Sequence, residues 1–274
     1  MSPPLPRYPI YVVSKGRAYR PLTIRMLQRD GVPFRVVVEP QEAEQYASVA
    51  GPENVLVLPF SKLRLGSIPA RNWIKAHATT AGAERHWCLD DNIYRVRRLW
   101  HRRRVPWGSN VALRVCEDFV DRYENVGVAG LAYTKFVIPN RPPPPFYANV
   151  HVYSCMLISN ALPLWWRGRY NEDTDLCLQA LANGWCTLLV QSFMVDKVTT
   201  MTMKGGNTDE LYQGDGRLKM ARVLEKAWPG VARVEHRYGR PQHVVDWTRF
   251  TGCPTLQRKR HASSAGASAT AEIG

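Results

Sequence analysis

Short apolar runs alternate with amphipathic periods over the first ninety residues of the chain. The runs at 10–13, 35–39 and 55–60 are rich in Val, Ile and Leu and predict strands, and a fourth run ends at Leu89. Between these runs, apolar residues recur every three or four positions, as they do on one face of a helix. This alternation is typical of βαβ units and predicts a largely parallel sheet.

Proline and glycine mark the boundaries of the predicted helices. Pro21 stands near the first turn of the first helix, and Gly31 follows its last turn. A second helical period at 43–50 ends before Gly51, and a third helix is predicted over 72–81.

The remainder of the chain predicts further strands and helices. A helix over 109–123 would carry the apolar stripe Val111, Val115, Phe119 and Tyr123. The other predicted elements are strands at 127–137 and 150–159, a short helix that follows Asn171 and ends at Gly184, a polar loop over 199–216, a helix that buries Leu218, Ala221 and Leu224, and a closing segment at 234–247.

These elements predict an α/β protein with a mixed, largely parallel sheet flanked by helices. The chain has 274 residues, of which 45% are hydrophobic, so it is long enough for one large domain with a buried core. We expect this single domain to cover residues 1–256. Residues 257–274 are basic and then rich in Ala and Ser, and we expect them to form a disordered tail.

Polar residues follow each of the first four predicted strands. They are Ser14-Lys15-Gly16-Arg17, Glu39-Pro40, Ser61-Lys62 and Asp90-Asp91-Asn92. Ligands of open α/β sheets bind outside the carboxyl ends of the strands, so this pattern predicts a nucleotide pocket. The two carboxylates and the amide suit a hard cation such as Mg²⁺ or Mn²⁺, although Asp and Asn are also ordinary turn residues.

The chain carries 37 Lys and Arg against 23 Asp and Glu, a formal net charge of +14. This excess favours a polyanionic partner, either nucleic acid or an anionic membrane; the alternative is a basic protein without such a partner. Arginines interleaved with tryptophans fit phosphate contacts and base stacking, although a solvated basic loop would have the same composition. The candidate nucleic-acid contacts are Arg97, Arg98, Arg102, Arg103, Arg104, Trp107 and Trp166, with Trp100 and Trp165 beside them.

Six cysteines occur singly, without the spacing of a zinc site, and predict reduced thiols in a cytoplasmic protein. The first nine residues contain no apolar stretch of signal-peptide length, and no later stretch approaches the 18 apolar residues of a membrane span. We therefore expect a protein that is neither secreted by that route nor membrane-spanning.

Several motifs in this order resemble those of GT-A glycosyltransferases: Ser14-Lys15, Ala70-Arg71-Asn72, the Asp-Asp-Asn triplet, and Glu172-Asp173 at a helix start. More narrowly, the Leu-Asp-Asp-Asn-Ile segment, the Asn-Glu-Asp-Thr-Asp-Leu-Cys-Leu-Gln segment and the Lys-Gly-Gly-Asn loop followed by Tyr212 resemble the TET-associated glycosyltransferases. The resemblance spans roughly residues 8–250. These phage and related enzymes are similar to base J glucosyltransferase and glycosylate hydroxymethylated pyrimidines in DNA.

The resemblance implies a GT-A fold and a UDP-sugar donor. It places the donor on Ser14, Lys15, Arg17, Glu39, Arg71, Asn72, Asp90, Lys204, Gly205 and Gly206. It also implies a divalent metal, Mn²⁺ or Mg²⁺, held by Asp91, Asn92 and a late histidine, either His243 or His236. The family triplet usually ends in a carboxylate, so Asn92 departs from the family's metal site.

Glycosyl transfer needs a base beside the acceptor hydroxyl, and Asp173 is the candidate; Glu172 and Asp175 lie close enough in sequence to replace it. The expected outcome is inversion, with retention left open. The resemblance implies that the acceptor is DNA with hydroxymethylated pyrimidines, which would explain the charge. It also implies a phage-encoded protein acting, as a monomer, in the bacterial cytoplasm.

Three other functions are compatible with parts of the sequence. The first is a glycosyltransferase with a polysaccharide or lipid-linked acceptor, although no basic amphipathic helix is evident. The second is an inactive DNA-binding module on the same frame, which Asn92 favours. The third is a nucleotidyltransferase, although the glycine-rich loop expected near the first strand is missing.

Overall fold

The computed structural model describes residues 4–139, 143–199, 202–206, 216–237 and 239–259. Ten strands form one sheet: β1 (Ile10–Val13), β2 (Arg35–Val38), β3 (Val55–Val57), β4 (Arg85–Asp90), β5 (Ile93–Trp100), β6 (Arg103–Trp107), β7 (Val126–Tyr133), β8 (Phe146–Ala148), β9 (Cys155–Ser159) and β10 (Cys186–Lys197). A separate hairpin pairs β11 (Ala232–Arg237) with β12 (Arg240–Val245). The helices are α1 (Leu22–Arg29), α2 (Ala43–Ala50), α3 (Ile68–Thr80), α4 (Ser109–Val120), α5 (Glu172–Ala182) and α6 (Gly216–Ala227).

The strand order in the sheet is β3-β2-β1-β4-β9-β7-β10-β5-β6, and β8 pairs with β10. The first four strands are parallel to one another, and β7 is parallel to β10. Strand β9 is antiparallel to both of its neighbours, β4 and β7. The predicted α/β class with a mixed, largely parallel sheet flanked by helices is confirmed.

Alternating residues of β1 show how the sheet is covered on both faces. Ile10 and Val12 belong to the same core cluster as Ile24 of α1, whereas Tyr11 packs in another cluster with Ile74 of α3. Successive side chains of a strand point to opposite faces, so β1 is buried on both sides. This is why the parallel strands appear in the sequence as continuous apolar runs.

Most predicted elements of the first half are present, with shifted boundaries. Strand β1 has the predicted bounds, whereas β3 ends at Val57, before Pro59, which has no N–H for a ladder hydrogen bond. Helix α3 begins at Ile68, four residues before the predicted start at 72, with a proline in its first turn.

The predicted apolar stripe over 109–123 is only partly right: Tyr123 is buried and Phe119 packs against the same core cluster, but Val115 is not on the buried face. The buried apolar residues are Ala112, Leu113, Cys116 and Val120, while Val115 is 41% exposed. Residues spaced strictly by four drift around a helix with 3.6 residues per turn, whereas spacing by three and four keeps residues on one face.

Hydrogen bonds tie the chain around residue 258 to the turn after α4. The carbonyl of Gln257 accepts a hydrogen bond from Glu124 N, and Lys259 N donates to the Arg122 carbonyl. Residues 260–274 and most of the predicted polar loop, with Tyr212, lie outside the described residues.

Five of the six cysteines are buried as free thiols, and Cys253 is exposed. Every helix in the described ranges is too short or too polar to cross a bilayer.

Candidate functional site

A cavity of about 350 Å³ opens at the carboxyl ends of β1, β2 and β4 and reaches the first turn of α5. Three of the four predicted strand ends meet here, as the strand-end pattern predicted, whereas Ser61 and Lys62 do not line the cavity. The predicted site residues that line it are Ser14, Lys15, Arg17, Glu39, Arg71, Asp90, Asp91, Asn92, Glu172, Asp173, Gly206 and His243.

Arg71 is the buried cation at the centre of the cavity wall; its side chain is only 3% exposed. Its Nη2 donates to Asp90 Oδ1 at 2.9 Å, and its Nη1 lies 3.5 Å from Asp173 Oδ1. Lys197 Nζ, at the end of β10, lies 3.5 Å from the other oxygen of Asp90. Burial opposes the ionisation of Asp90, but Lys197 and Arg71 outweigh it and lower the pKa of this carboxyl.

Asp173 stands in the first turn of α5 and has a different environment. Burial raises the pKa of Asp173 to about 7; Arg71 opposes this rise, and Glu172 and Asp90 reinforce it. Its Oδ1 is buried and accepts no hydrogen bond from the described residues. Glu172 accepts a hydrogen bond from Ser67 Oγ at 2.7 Å. A carboxyl that titrates near neutrality and faces a cavity suits a general base.

The loop after β1 contacts the acidic triplet. Ser14 Oγ donates to Asp91 Oδ2 at 2.7 Å, and Arg17 Nη1 donates to Asp91 Oδ1 at 2.6 Å. Lys15 Nζ donates to Glu39 Oε1 at 2.9 Å, so the ends of β1 and β2 are also joined by an ion pair. Burial raises the pKa of Asp91, while Arg17 and Ser14 oppose the rise.

The expected metal ligands do not fit a divalent ion as they are arranged. Both carboxylate oxygens of Asp91 already accept hydrogen bonds, one of them from a guanidinium. The side-chain amide of Asn92 is also engaged, since its Nδ2 donates to the Val198 carbonyl at 3.2 Å. Of the two candidate histidines, His243 lines the cavity, whereas His236 is exposed outside it. Within the described ranges, no group of three or more His, Cys, Asp and Glu side chains is arranged to hold a metal.

Four buried polar atoms that face the cavity make no hydrogen bond to the described residues. They are Asp173 Oδ1, Tyr153 Oη, Asn92 Oδ1 and His243 Nδ1. Buried polar groups are almost always hydrogen-bonded in folded proteins, so these atoms are available to hydrogen-bond water or a polar ligand in the cavity. Sugar hydroxyls, which both donate and accept hydrogen bonds, fit such a set.

Sequence reasoning missed His151, Tyr153, Ser154 and Lys197, all of which line the cavity. His151 lies stacked between the rings of Tyr153 and Trp247, and burial, with His243 and Lys197, lowers its pKa to about 3. Lys197 donates to Ser154 Oγ. Lys197 ends a strand, so extending the strand-end pattern to β10 would have found it.

Four other predicted site residues do not line the cavity. Asn72 exchanges two hydrogen bonds with the backbone of Trp166, at 2.8 and 3.0 Å. Asp175 accepts hydrogen bonds from Arg167, Gln179 and Trp228, so its carboxylate holds neighbouring segments together rather than facing the cavity. The other two are Lys204 and Gly205, whose carbonyls accept hydrogen bonds from Arg17 at 3.1 and 2.9 Å.

The arginine-rich segment forms the β5–β6 hairpin at the edge of the sheet, not a loop. The Arg98 guanidinium lies over the rings of Trp100 and Trp107, at 4.4 and 5.0 Å from their centroids. Arg102 and Arg103 are exposed at the hairpin turn and the start of β6.

Three predicted nucleic-acid contacts have structural partners instead. Arg97 Nε donates to Asp196 at 2.6 Å, and Arg104 Nε donates to the Val137 carbonyl at 2.9 Å. Trp166 is 2% exposed, which leaves no face of its indole for a DNA base.

Comparison with known proteins gives a structural likeness and a family. A structure described as a nucleotide-diphospho-sugar transferase from Desulfovibrio desulfuricans G20 aligns with 72% of this chain and 84% of its own, at 10% identity and a TM-score of 0.41. No curated protein matches the chain. The family model described as TET-Associated Glycosyltransferase matches residues 8–206, which is most of the chain and includes β1, the acidic triplet, α5 and Gly206. The protein therefore belongs to the TET-associated glycosyltransferase family.

Proposed function

We propose that this glycosyltransferase moves a sugar from a UDP-sugar to the hydroxyl of 5-hydroxymethylcytosine, or of another 5-hydroxymethylpyrimidine, in DNA. The observation that carries the proposal is Asp173. It is a buried carboxyl in a cavity of about 350 Å³, with one oxygen that accepts no hydrogen bond from the described residues and a pKa raised to about 7. Such a group takes a proton near neutral pH.

The two ends of the cavity suggest how the donor lies. Ser14, Lys15 and Arg17 follow β1 and supply N–H and O–H donors for the diphosphate. The buried polar atoms of Asn92, Tyr153 and His243 that make no hydrogen bond to the described residues would then face the sugar. In this orientation the anomeric carbon lies between the diphosphate and Asp173.

The transfer is a displacement at the anomeric carbon. The hydroxymethyl oxygen loses its proton to Asp173 and attacks that carbon, and the bond from the carbon to the diphosphate oxygen breaks. UDP leaves with the electron pair of the broken bond, and the sugar is inverted. Cations beside the departing diphosphate stabilise its negative charge.

The acceptor assignment rests on charge and on the family. A net charge of +14 exceeds what a small neutral acceptor requires, and the β5–β6 hairpin presents Arg98, Arg102 and Arg103 beside exposed tryptophan rings. A base that is modified inside a duplex must leave the stack, which requires phosphate contacts to hold the DNA while it does so.

The test is an incubation of the protein with UDP-sugars and matched DNA containing cytosine or 5-hydroxymethylcytosine, with Mn²⁺ in one series and EDTA in another. Nucleoside masses after digestion should show a hexose or N-acetylhexosamine gain on the hydroxymethylated base alone. A gain on neither DNA with any donor, while salt-sensitive DNA binding persists, would favour the inactive binding module. UDP-sugar turnover only with a polysaccharide or lipid-linked acceptor would favour the other glycosyltransferase.

A further inference from the structure

The acidic triplet is already neutralised by a cation of the protein. Asp91 Oδ1 accepts from Arg17 Nη1 at 2.6 Å and Asp91 Oδ2 accepts from Ser14 Oγ at 2.7 Å. The Asp91 side chain is only 8% exposed and that of Arg17 13%, so little water screens the pair. A divalent ion on Asp91 would have to displace the guanidinium or share the carboxylate with it.

Arg17 is held in place from a second direction. Its Nε and Nη2 donate to the carbonyls of Lys204 and Gly205, at 3.1 and 2.9 Å. This approach requires glycine at 205, where φ is +86° and an added Cβ would lie 2.7 Å from the Gly16 carbonyl oxygen. The Lys-Gly-Gly segment therefore fixes the Arg17 guanidinium at the wall of the cavity.

The remaining positions of the expected metal site add no second carboxylate. Asn92 places an amide where the family has a carboxylate, and His243 contributes a buried imidazole whose Nδ1 makes no hydrogen bond to the described residues. An amide oxygen and an imidazole nitrogen without a second carboxylate make a weak set for Mg²⁺ or Mn²⁺. Both atoms can instead accept hydrogen bonds from a sugar or a ribose.

We infer that Arg17, anchored on Asp91 and covered by the Lys-Gly-Gly segment, hydrogen-bonds the donor diphosphate in the place that a divalent metal would take. The inference rests on the proposed nucleotide-sugar donor but not on the acceptor. The planar guanidinium of an arginine can donate two parallel hydrogen bonds to phosphate oxygens, and it stays charged at every physiological pH. Asp91 is then a positioning residue, which acts on the donor through Arg17.

The experiment is a calorimetric titration of the full chain with UDP and, separately, with inorganic pyrophosphate, in EDTA and in Mn²⁺. The wild-type dissociation constants should change less than tenfold between the two conditions. In EDTA, Arg17→Ala should weaken both ligands at least about tenfold, the range expected when a charge-assisted hydrogen bond is removed. Arg25→Ala, which removes an exposed arginine of α1 outside the cavity, should leave both unchanged.

Asp91→Asn separates anchoring from metal binding. If Asp91 acts through Arg17, this variant weakens UDP binding even in EDTA; if Asp91 holds a metal, it has no effect there. Two results would overturn the inference. The first is that the wild type binds UDP only with Mn²⁺, or binds it at least tenfold more tightly with Mn²⁺. The second is that the Arg17→Ala variant binds UDP like the wild type in EDTA. The titrations contain no DNA, so a failure of the acceptor assignment leaves them unchanged.

Discussion

The cavity and the β5–β6 hairpin are both rich in cations, but they hold them differently. In the cavity, Arg17, Arg71 and Lys197 lie within 2.6 to 3.5 Å of a carboxylate oxygen, and their side chains are at most 13% exposed. On the hairpin, Arg98 lies over tryptophan rings and Arg102 is exposed. Buried pairs are fixed and weakly screened by salt, whereas exposed cations are mobile and strongly screened. Variants in the two regions should therefore behave differently.

The largest expected effect is on catalysis at Asp173. Asp173→Asn keeps the size of the side chain but removes the base, so we expect transfer to fall about 10²–10⁴-fold. The measurement is the initial rate of sugar transfer to hydroxymethylated DNA, with UDP binding checked by titration and expected to persist.

Asp175→Asn is the matched control, because this neighbouring carboxylate binds Arg167 and Trp228 rather than facing the cavity. It should lower the free energy of unfolding while the folded fraction keeps its activity. If Asp175→Asn abolished transfer in folded protein and Asp173→Asn did not, the assignment of the base would be reversed.

The second effect is on stability. Arg71→Met removes the buried cation that lies beside Asp90 and Asp173, so Asp173 loses its ion pair and Asp90 keeps only its contact with Lys197. Breaking a buried ion pair from one side costs about 3–5 kcal/mol. Urea denaturation should show this decrease, whereas Arg98→Met on the hairpin should change the free energy of unfolding by about 0.5 kcal/mol or less. Equal decreases in the free energy of unfolding of the two variants would contradict the expected difference between buried and exposed cations.

The third effect is a pH dependence. Because burial raises the pKa of Asp173 to about 7, the active carboxylate is lost as the pH falls through this value, and the transfer rate should fall with it. A profile of kcat/KM against pH measures this. A rate that stayed constant from pH 8 to pH 5 would argue against Asp173 as the base.

The same shift affects stability with a defined sign. Between the ordinary value of 3.8 and about 7, folded Asp173 binds more proton than unfolded Asp173. The shifted pKa of Asp173 therefore adds to the free energy of unfolding at low pH, and this addition is lost as the pH rises through this window. Unfolding experiments at pH 5 and pH 8 should show a smaller difference for Asp173→Asn than for the wild type.

The smallest expected effect is on the hairpin. Arg98→Ala and Arg102→Ala should each weaken DNA binding modestly and reduce the slope of log K against log salt by about 1 for each phosphate that the variant no longer binds. UDP binding should not change. Fluorescence anisotropy at several salt concentrations measures the slope. An unchanged slope in both variants would place the DNA on another surface.

The sequence predicted most of the strand ends that line the cavity, because their signals are local. Ser14, Glu39 and Asp90 each follow an apolar run, and parallel strands bring such ends to one edge. The hairpin was predicted less well. The composition of its segment is that of a solvated loop, and the pairing of Arg97 with Asp196, 99 residues away, has no local signal.

By itself, the sequence determined the α/β class, the positions of most strands and helices, the polar strand ends and the family. Hydrophobic periodicity and strand-end chemistry specify the class, the elements and the strand ends within a few residues, whereas the family follows from the resemblance of the motifs. Only the tertiary structure decided that Arg17 binds Asp91, that Trp166 is buried and that Tyr153 lines the cavity. Antiparallel β9 brings the chain before it to the edge where β4 and β10 end. Contacts between residues so far apart follow from strand order, which periodicity does not encode.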